Sequence, residues 1–299
     1  MPYSDLTFQV QPGLRFVPND FVNVYVPTTT TTTTATPTTT TTTTPTPTTT
    51  TTTTPTPTTT TTTTAGGGIV TTGLMFNFDA ANYPGTGSTW TDSVNSNVGT
   101  LIASPTYSTN NGGYFNFDGS NNYVTVPHNS TLSFNPYLTL EAWIYPTADN
   151  YNMIITKQPS GGQPSPYPGN YELRLQPSSA MGFGWQYDYP SQYGYAFFGS
   201  NNNVLTLNAW NQVVVTSQTV SNTQFYVNGS LISVTVQFNY PPAQSSPPMN
   251  VNTQPLLLGR RQDGLPFAGR YAIARGYNVM LDASQVLQNF NAIKSRFGL

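Results

Sequence analysis

Short runs of alternating apolar and polar residues fill the chain from Ile69 to its end, separated by clusters of Gly, Asn, Pro and Ser. A period of two puts alternate side chains on opposite faces of a strand, so the pattern predicts β-structure. Eleven strands are expected, at 73–78, 114–117, 123–126, 138–145, 153–156, 171–175, 213–217, 224–227, 231–236, 256–259 and 270–277. That number at that spacing predicts a large antiparallel β-sandwich. In FYVNGSLISV, Asn228 and Gly229 supply the two positive-φ residues of a tight hairpin turn. The turn also explains the Asn-Gly-Ser sequence better than a glycosylation site does, and Asn129-Ser-Thr is an equally weak sequon. One helix stands out, in DASQVLQNFNAIKSRFGL: Asp282 as N-cap, Gln285 three residues on, an apolar stripe of Val286, Phe290 and Ile293, then Lys294 and Arg296.

The first 68 residues follow other rules. Residues 1–26 contain two short alternating pieces, around Leu6–Val10 and Phe21–Val26, too few to bury a core of their own. They are expected to anchor the chain on another protein or on copies of itself. Residues 27–65 repeat with a period of ten: Pro27, Pro37, Pro47 and Pro57 each open seven threonines. Proline removes backbone donors and branched threonine disfavours helix, so the tract reads as an extended stalk. At about 3.1 Å per residue it would reach roughly 120 Å. The same composition also describes a disordered linker or an O-glycosylated stalk. Gly66, Gly67 and Gly68 close it as a joint, and residues 69–299 form the domain.

Composition narrows the function. Only 7% of the 299 residues are charged and the net charge is −2, which leaves no basic face for nucleic acid. There is no cysteine, hence neither disulfide nor thiolate metal site. No run of eighteen apolar residues predicts membrane insertion, and MPYSDLTFQV lacks the basic start and apolar run of a secretory signal.

Seven stretches carry a resemblance: GLMFNFDAANYPGTGSTWTD, GGYFNFDGSNNYVTVPHNSTL, LTLEAWIYP, NAWNQVVVTSQ, FYVNGSLI, LLLGRR and the C-terminal GYNVMLDASQVLQNFNAIKSRFGL. In this order they resemble laminin G-like, concanavalin A-like lectin/glucanase domains, in the form found in tailed-phage structural proteins. The resemblance covers most of 69–299. It implies a jelly-roll sandwich of two antiparallel sheets with the final helix packed beside it in a structural role. Glucanases of this fold set two carboxylates about 5–5.5 Å apart on one strand. Here Glu141 and Glu172 fall on different predicted strands with no acid at i+2 or i+4, and Glu141 reads as a structural residue near a sheet edge. The only histidine, His128, lies in an exposed-looking turn, so no activated nucleophile is expected and the chain is read as a non-enzyme. Laminin G-like domains often hold Ca²⁺, for which Asp79, Asp92 and Asp118 are weak candidates. Asn122 stands where related sequences often have aspartate, and Asp118-Gly119 also reads as simple turn chemistry, so no cofactor is assigned.

FGWQYDYPSQYGYAFFG concentrates aromatic residues: Trp185, Tyr187, Tyr189, Tyr193 and Tyr195 are the candidate glycan-binding set. Sugar rings lie flat on aromatic faces while amides and carboxylates meet their hydroxyls. Alternation would instead turn half of these rings into the core and the others toward a neighbouring subunit. The loop QPSGGQPSPYPGNY would rim the same surface. Together these features describe a viral fibre or surface appendage, made in an infected bacterial cell and exposed on the virion. Residues 1–26 would contact virion proteins, and the sandwich would bind a host cell-surface glycan. A homotrimer is expected from the habit of viral fibres alone. The alternative is a purely structural virion decoration or self-associating fibril protein with no ligand.

Overall fold

The computed structural model of the chain describes residues 67–158, 170–189, 192–218, 222–240 and 251–299. The N-terminal segment 1–26, the tract 27–65, Gly66 and loop residues 159–169 lie outside them. Gly68, at the end of the joint, is tied down: its carbonyl accepts from Gln288 Nε2 at 2.8 Å.

The described residues form seventeen strands. They are β1 (Leu74–Asp79), β2 (Thr89–Thr91), β3 (Val98–Ile102), β4 (Thr106–Ser108), β5 (Tyr114–Asp118), β6 (Tyr123–Val126), β7 (Leu138–Pro146), β8 (Asn152–Thr156) and β9 (Tyr171–Gln176). There follow β10 (Ala180–Tyr189), β11 (Gln192–Ser200), β12 (Asn211–Ser217), β13 (Gln224–Val227), β14 (Ser230–Ile232), β15 (Val234–Tyr240), β16 (Leu256–Leu258) and β17 (Ala268–Tyr277). One sheet of eight strands runs β14-β13-β12-β7-β17-β5-β4, with β1 also paired to β17. A second sheet of nine runs β15-β11-β10-β9-β8-β16-β6-β3-β2. Every pairing is antiparallel.

All eleven expected strands are present, with two kinds of departure. The expected strand at 231–236 is two: β14 and β15 are separated by Ser233 and belong to different sheets, so the chain changes layer there. Five further strands were not anticipated. β2 and β4, of three residues each, are too short to display an alternation, while β3, β10 and β11 are interrupted by glycines that dilute theirs. Asn228 and Gly229 do form the expected turn, with φ of 51° and 75°, between Val227 and Ser230.

The core lies between the sheets. Leu140, Ala142 and Ile144 of β7 meet Leu173, Phe183 and Trp185 of the opposite sheet, with Trp90, Phe115 and Tyr271 at the centre of an aromatic cluster. The outer face of the eight-stranded sheet is also covered. Helix α1 (Ala283–Ile293) lies on it, started by the expected capping box, in which Asp282 accepts from Gln285 N and Gln285 Oε1 from Asp282 N. Trp143 stacks on Phe290 and on Phe297, with ring centroids 5.8 and 4.5 Å apart.

Glu141 departs from its expected place at an edge: it is wholly buried on the central strand β7, beneath the helix. A buried carboxylate needs a full set of donors, and Glu141 has Trp143 Nε1 (3.1 Å), Gln212 Nε2 (3.0 Å), Arg275 Nη1 (3.1 Å) and Asn289 Nδ2 (2.8 Å). Asn289 also accepts from Val70 N, joining the start of the domain to the helix. Glu141 is therefore the bolt between helix and sheet.

Candidate functional site

With one outer face capped by the helix, the outer face of the nine-stranded sheet is the one left for a ligand. The pleat decides what reaches it. On β9, Leu173 and Leu175 enter the core, so Glu172, Arg174 and Gln176 turn outward. On β10 the outward positions include Gly182 and Gly184, and on β11 they include Tyr195 and Phe197. The missing side chains let the rings lie across the strand. A Cβ on Gly184 would stand 2.5 Å from the Tyr195 hydroxyl oxygen, and one on Gly182 would stand 2.6 Å from the Phe197 ring.

These rings anchor a charged row. The Tyr195 hydroxyl donates to Glu172 Oε1 at 2.8 Å, and burial is the main reason its pKa is pushed well above the usual tyrosine value. The Arg174 guanidinium lies 4.0 Å from the Phe197 ring centroid and donates to Glu172 Oε1 at 3.2 Å. Arg261 reaches Glu172 Oε2 at 3.4 Å and grips Asp263 with two bonds of 2.6 and 3.1 Å. Both Glu172 oxygens are thus occupied by protein donors.

Beyond Arg261 the face sinks into a cavity of about 260 Å³, lined by Tyr123, Thr125, Pro255, Leu257, Arg260, Arg261 and Gln262. The paired strands β6 and β16 form its floor, since Leu257 pairs with Thr125. The Arg260 guanidinium lies over the Tyr123 ring, 5.3 Å from its centroid, and Gln262 is steadied by Gln254 at 3.1 Å. Such a site offers a flat ring, an apolar floor, an amide and two guanidinium groups.

The aromatic set expected from the sequence is split by the pleat. Trp185 and Tyr187 are fully buried in the core, their rings tilted against each other with centroids 5.2 Å apart, so neither presents a ring to a ligand. Tyr195 is on the outer face, used as a strut for Glu172. The side chains of Tyr189 and Tyr193 lie outside what is described, as does most of the Pro/Gly loop.

The three candidate Ca²⁺ ligands do not converge. Asp92 is buried and accepts from Asn77 N, Val94 N, Asn95 N and Asn97, closing its own loop. Asp118 closes a turn on Ser120, Asn121 and Asn122, whose N–H groups lower its pKa. Asp79 caps Ala81 and pairs with Arg296 at 2.7 Å. Among the described residues no three His, Cys, Asp or Glu side chains gather in a group able to hold a metal.

What sequence reasoning missed is the cavity: Tyr123, Arg260, Arg261 and Gln262. The signal was LLLGRRQDG, two adjacent arginines in a chain with nine basic residues.

A two-sheet jelly roll with one outer face capped and the other cleft defines a lectin-like domain. The chain belongs to the concanavalin A-like lectin/glucanases superfamily, whose family model matches residues 118–287, more than half of its length. No curated protein matches it. Among solved structures, the botulinum neurotoxin serotype G binding domain is similar at 13% identity and TM-score 0.53, over 73% of this chain and 50% of that one. The binding domain of Paraclostridial Mosquitocidal Protein 1 aligns at 14% identity and TM-score 0.51, over 74% and 52%. The serotype D ligand binding domain, solved in complex with N-acetylneuraminic acid, aligns at 12% identity and TM-score 0.50, over 73% and 51%. The chain spans about half the length of these structures, and what they share with it is the fold.

Proposed function

We propose that the chain is a viral fibre or surface-appendage protein whose sandwich binds a host cell-surface glycan on the outer face of the nine-stranded sheet. The observation that carries this reading is the cavity of about 260 Å³ beside the Glu172–Arg261 pair, on the face that no helix among the described residues covers. Its volume lies just below the usual range of about 300–1,000 Å³ for ligand pockets, so it suits one terminal sugar ring rather than a chain. Aromatic, amide and guanidinium groups at its walls match the apolar face and hydroxyls of such a ring. The serotype D ligand binding domain, about half of which shares this fold, was solved in complex with N-acetylneuraminic acid, which agrees with a sugar as the ligand class. The threonine tract would supply distance from the particle, and residues 1–26 the attachment and the oligomer.

The domain binds without cleaving. Glu172, on this face, has both oxygens engaged by Arg174, Tyr195 and Arg261, which leaves neither directed at a glycosidic bond. The second reading, a structural protein without a ligand, draws on strand β15 at the sheet edge, where Val236 and Phe238 are each 49% exposed. A glycan array probed with the full chain separates the two: reproducible binding to a related group of glycans is expected, and a silent array would favour the structural role. Release of soluble sugar from a bound glycan would contradict the non-enzymatic assignment.

A further inference from the structure

Among the described residues, two cations line the cavity and no carboxylate does. The two arginines differ in what they already hold. Arg261 is bound by Glu172 and Asp263. Arg260 makes no ion pair with any described carboxylate; its guanidinium rests on Tyr123. Stacking on a ring fixes the plane of a guanidinium while leaving its N–H fork free to donate. The nearby carboxylates are committed elsewhere, Glu172 to Arg174, Tyr195 and Arg261, and Asp263 to Arg261, so neither competes for the fork. In a chain where only 7% of residues are charged, a cation held at a cavity wall and left unmatched is a specific feature.

We infer that the cavity takes an acidic sugar, with a carboxylate on the terminal ring paired to Arg260. The inference rests on the glycan-binding reading above and sharpens it. A planar carboxylate meets a guanidinium through two parallel N–H···O bonds, which a neutral hydroxyl cannot form. Tyr123 and Leu257 then face the ring, Gln262 and Thr125 its hydroxyls. Arg261, tied to its own acids, shapes the wall and adds little net charge.

The test is calorimetric titration of the full chain with oligosaccharides ending in glucuronic acid or N-acetylneuraminic acid, with their methyl esters, and with sulfated and neutral counterparts. At least one of the two acids is expected to bind, its methyl ester about tenfold or more weaker, and binding of the acid to weaken as salt is raised. Arg260→Gln is expected to lose about tenfold or more in affinity for the acid, and Arg260→Lys to fall between, keeping the charge without the fork. Unchanged thermal unfolding of both variants ties the loss to the ligand rather than to the fold. Equal affinity for acid and ester, stronger binding of the sulfated sugar, or an Arg260→Gln variant that binds as the wild type does would overturn the carboxylate assignment. If neutral sugars bind in a manner independent of Arg260, the glycan reading survives and this inference fails. If no sugar binds, both fail together.

Discussion

At the scale of single residues, Lys157 shows how the rim of the cavity is held. Its buried ammonium donates to Asn252 O and Oδ1 at 2.8 and 2.7 Å and to Gln254 O at 2.8 Å, and lies 3.2 Å from His128 Nδ1. Those bonds fix residues 252–254, directly before Pro255 in the cavity wall. Burial lowers the Lys157 pKa from the usual 10.5 to about 8. Between those values the unfolded chain binds a proton that the folded chain does not, so Lys157 makes stability rise with pH across that window and costs stability below it. Denaturant unfolding of the wild type and Lys157→Met should diverge accordingly: the wild type gains on the variant from about pH 8 to 10.5, and a constant difference would contradict the assignment. None of this was legible in the sequence, because the lysine ends a strand and its partner Asn252 is 95 residues away. Asp282, whose partner Gln285 is three residues on, was legible for the opposite reason.

The elements show where alternation is readable. It survives where one face is wet, as in β6, and fades where both are buried, as in β7, whose outward residues Thr139, Glu141 and Trp143 lie under the helix. The strand was found because Leu138 to Ala142 still alternate in sequence, and the place of its glutamate was not, because nothing in that run announces the helix over it. The β10–β11 pair is the instructive case, since its glycines hide the period and three of them, Gly182, Gly184 and Gly194, seat rings. The backbone at Gly184 lies outside the positive-φ region, so what an alanine there meets first is the Tyr195 ring, at 2.5 Å from its hydroxyl oxygen and 2.9 Å from ring carbons. Gly184→Ala should therefore lift Tyr195 from Glu172 and cost roughly 1–3 kcal/mol in denaturant unfolding, as overpacking does. A cost near zero would mean that the ring moves freely and is no strut.

For the whole domain, fold class was legible because a sandwich writes its period of two many times over. The ligand face was not, because it depends on which sheet the C-terminal helix covers and on which half of an aromatic run the pleat buries. Trp185 is the clearest example: the residue best suited to a sugar by chemistry is spent on the core. Charge tells the same story, for eight of the nine basic residues are in the domain and most serve its own carboxylates or rings. Of the two arginines on the cavity wall, Arg260 is the one without an ion pair to a described carboxylate.

The claim on which the rest depends is that ligand meets the outer face of the nine-stranded sheet. Thr125 lies on the cavity floor, whereas Leu287 is 45% exposed on the helix that covers the other sheet. Calorimetric titration of the full chain with a glycan it binds should give no measurable affinity for Thr125→Trp, which fills the cavity, and wild-type affinity for Leu287→Trp. Retained binding by Thr125→Trp together with loss by Leu287→Trp would put the ligand on the opposite face.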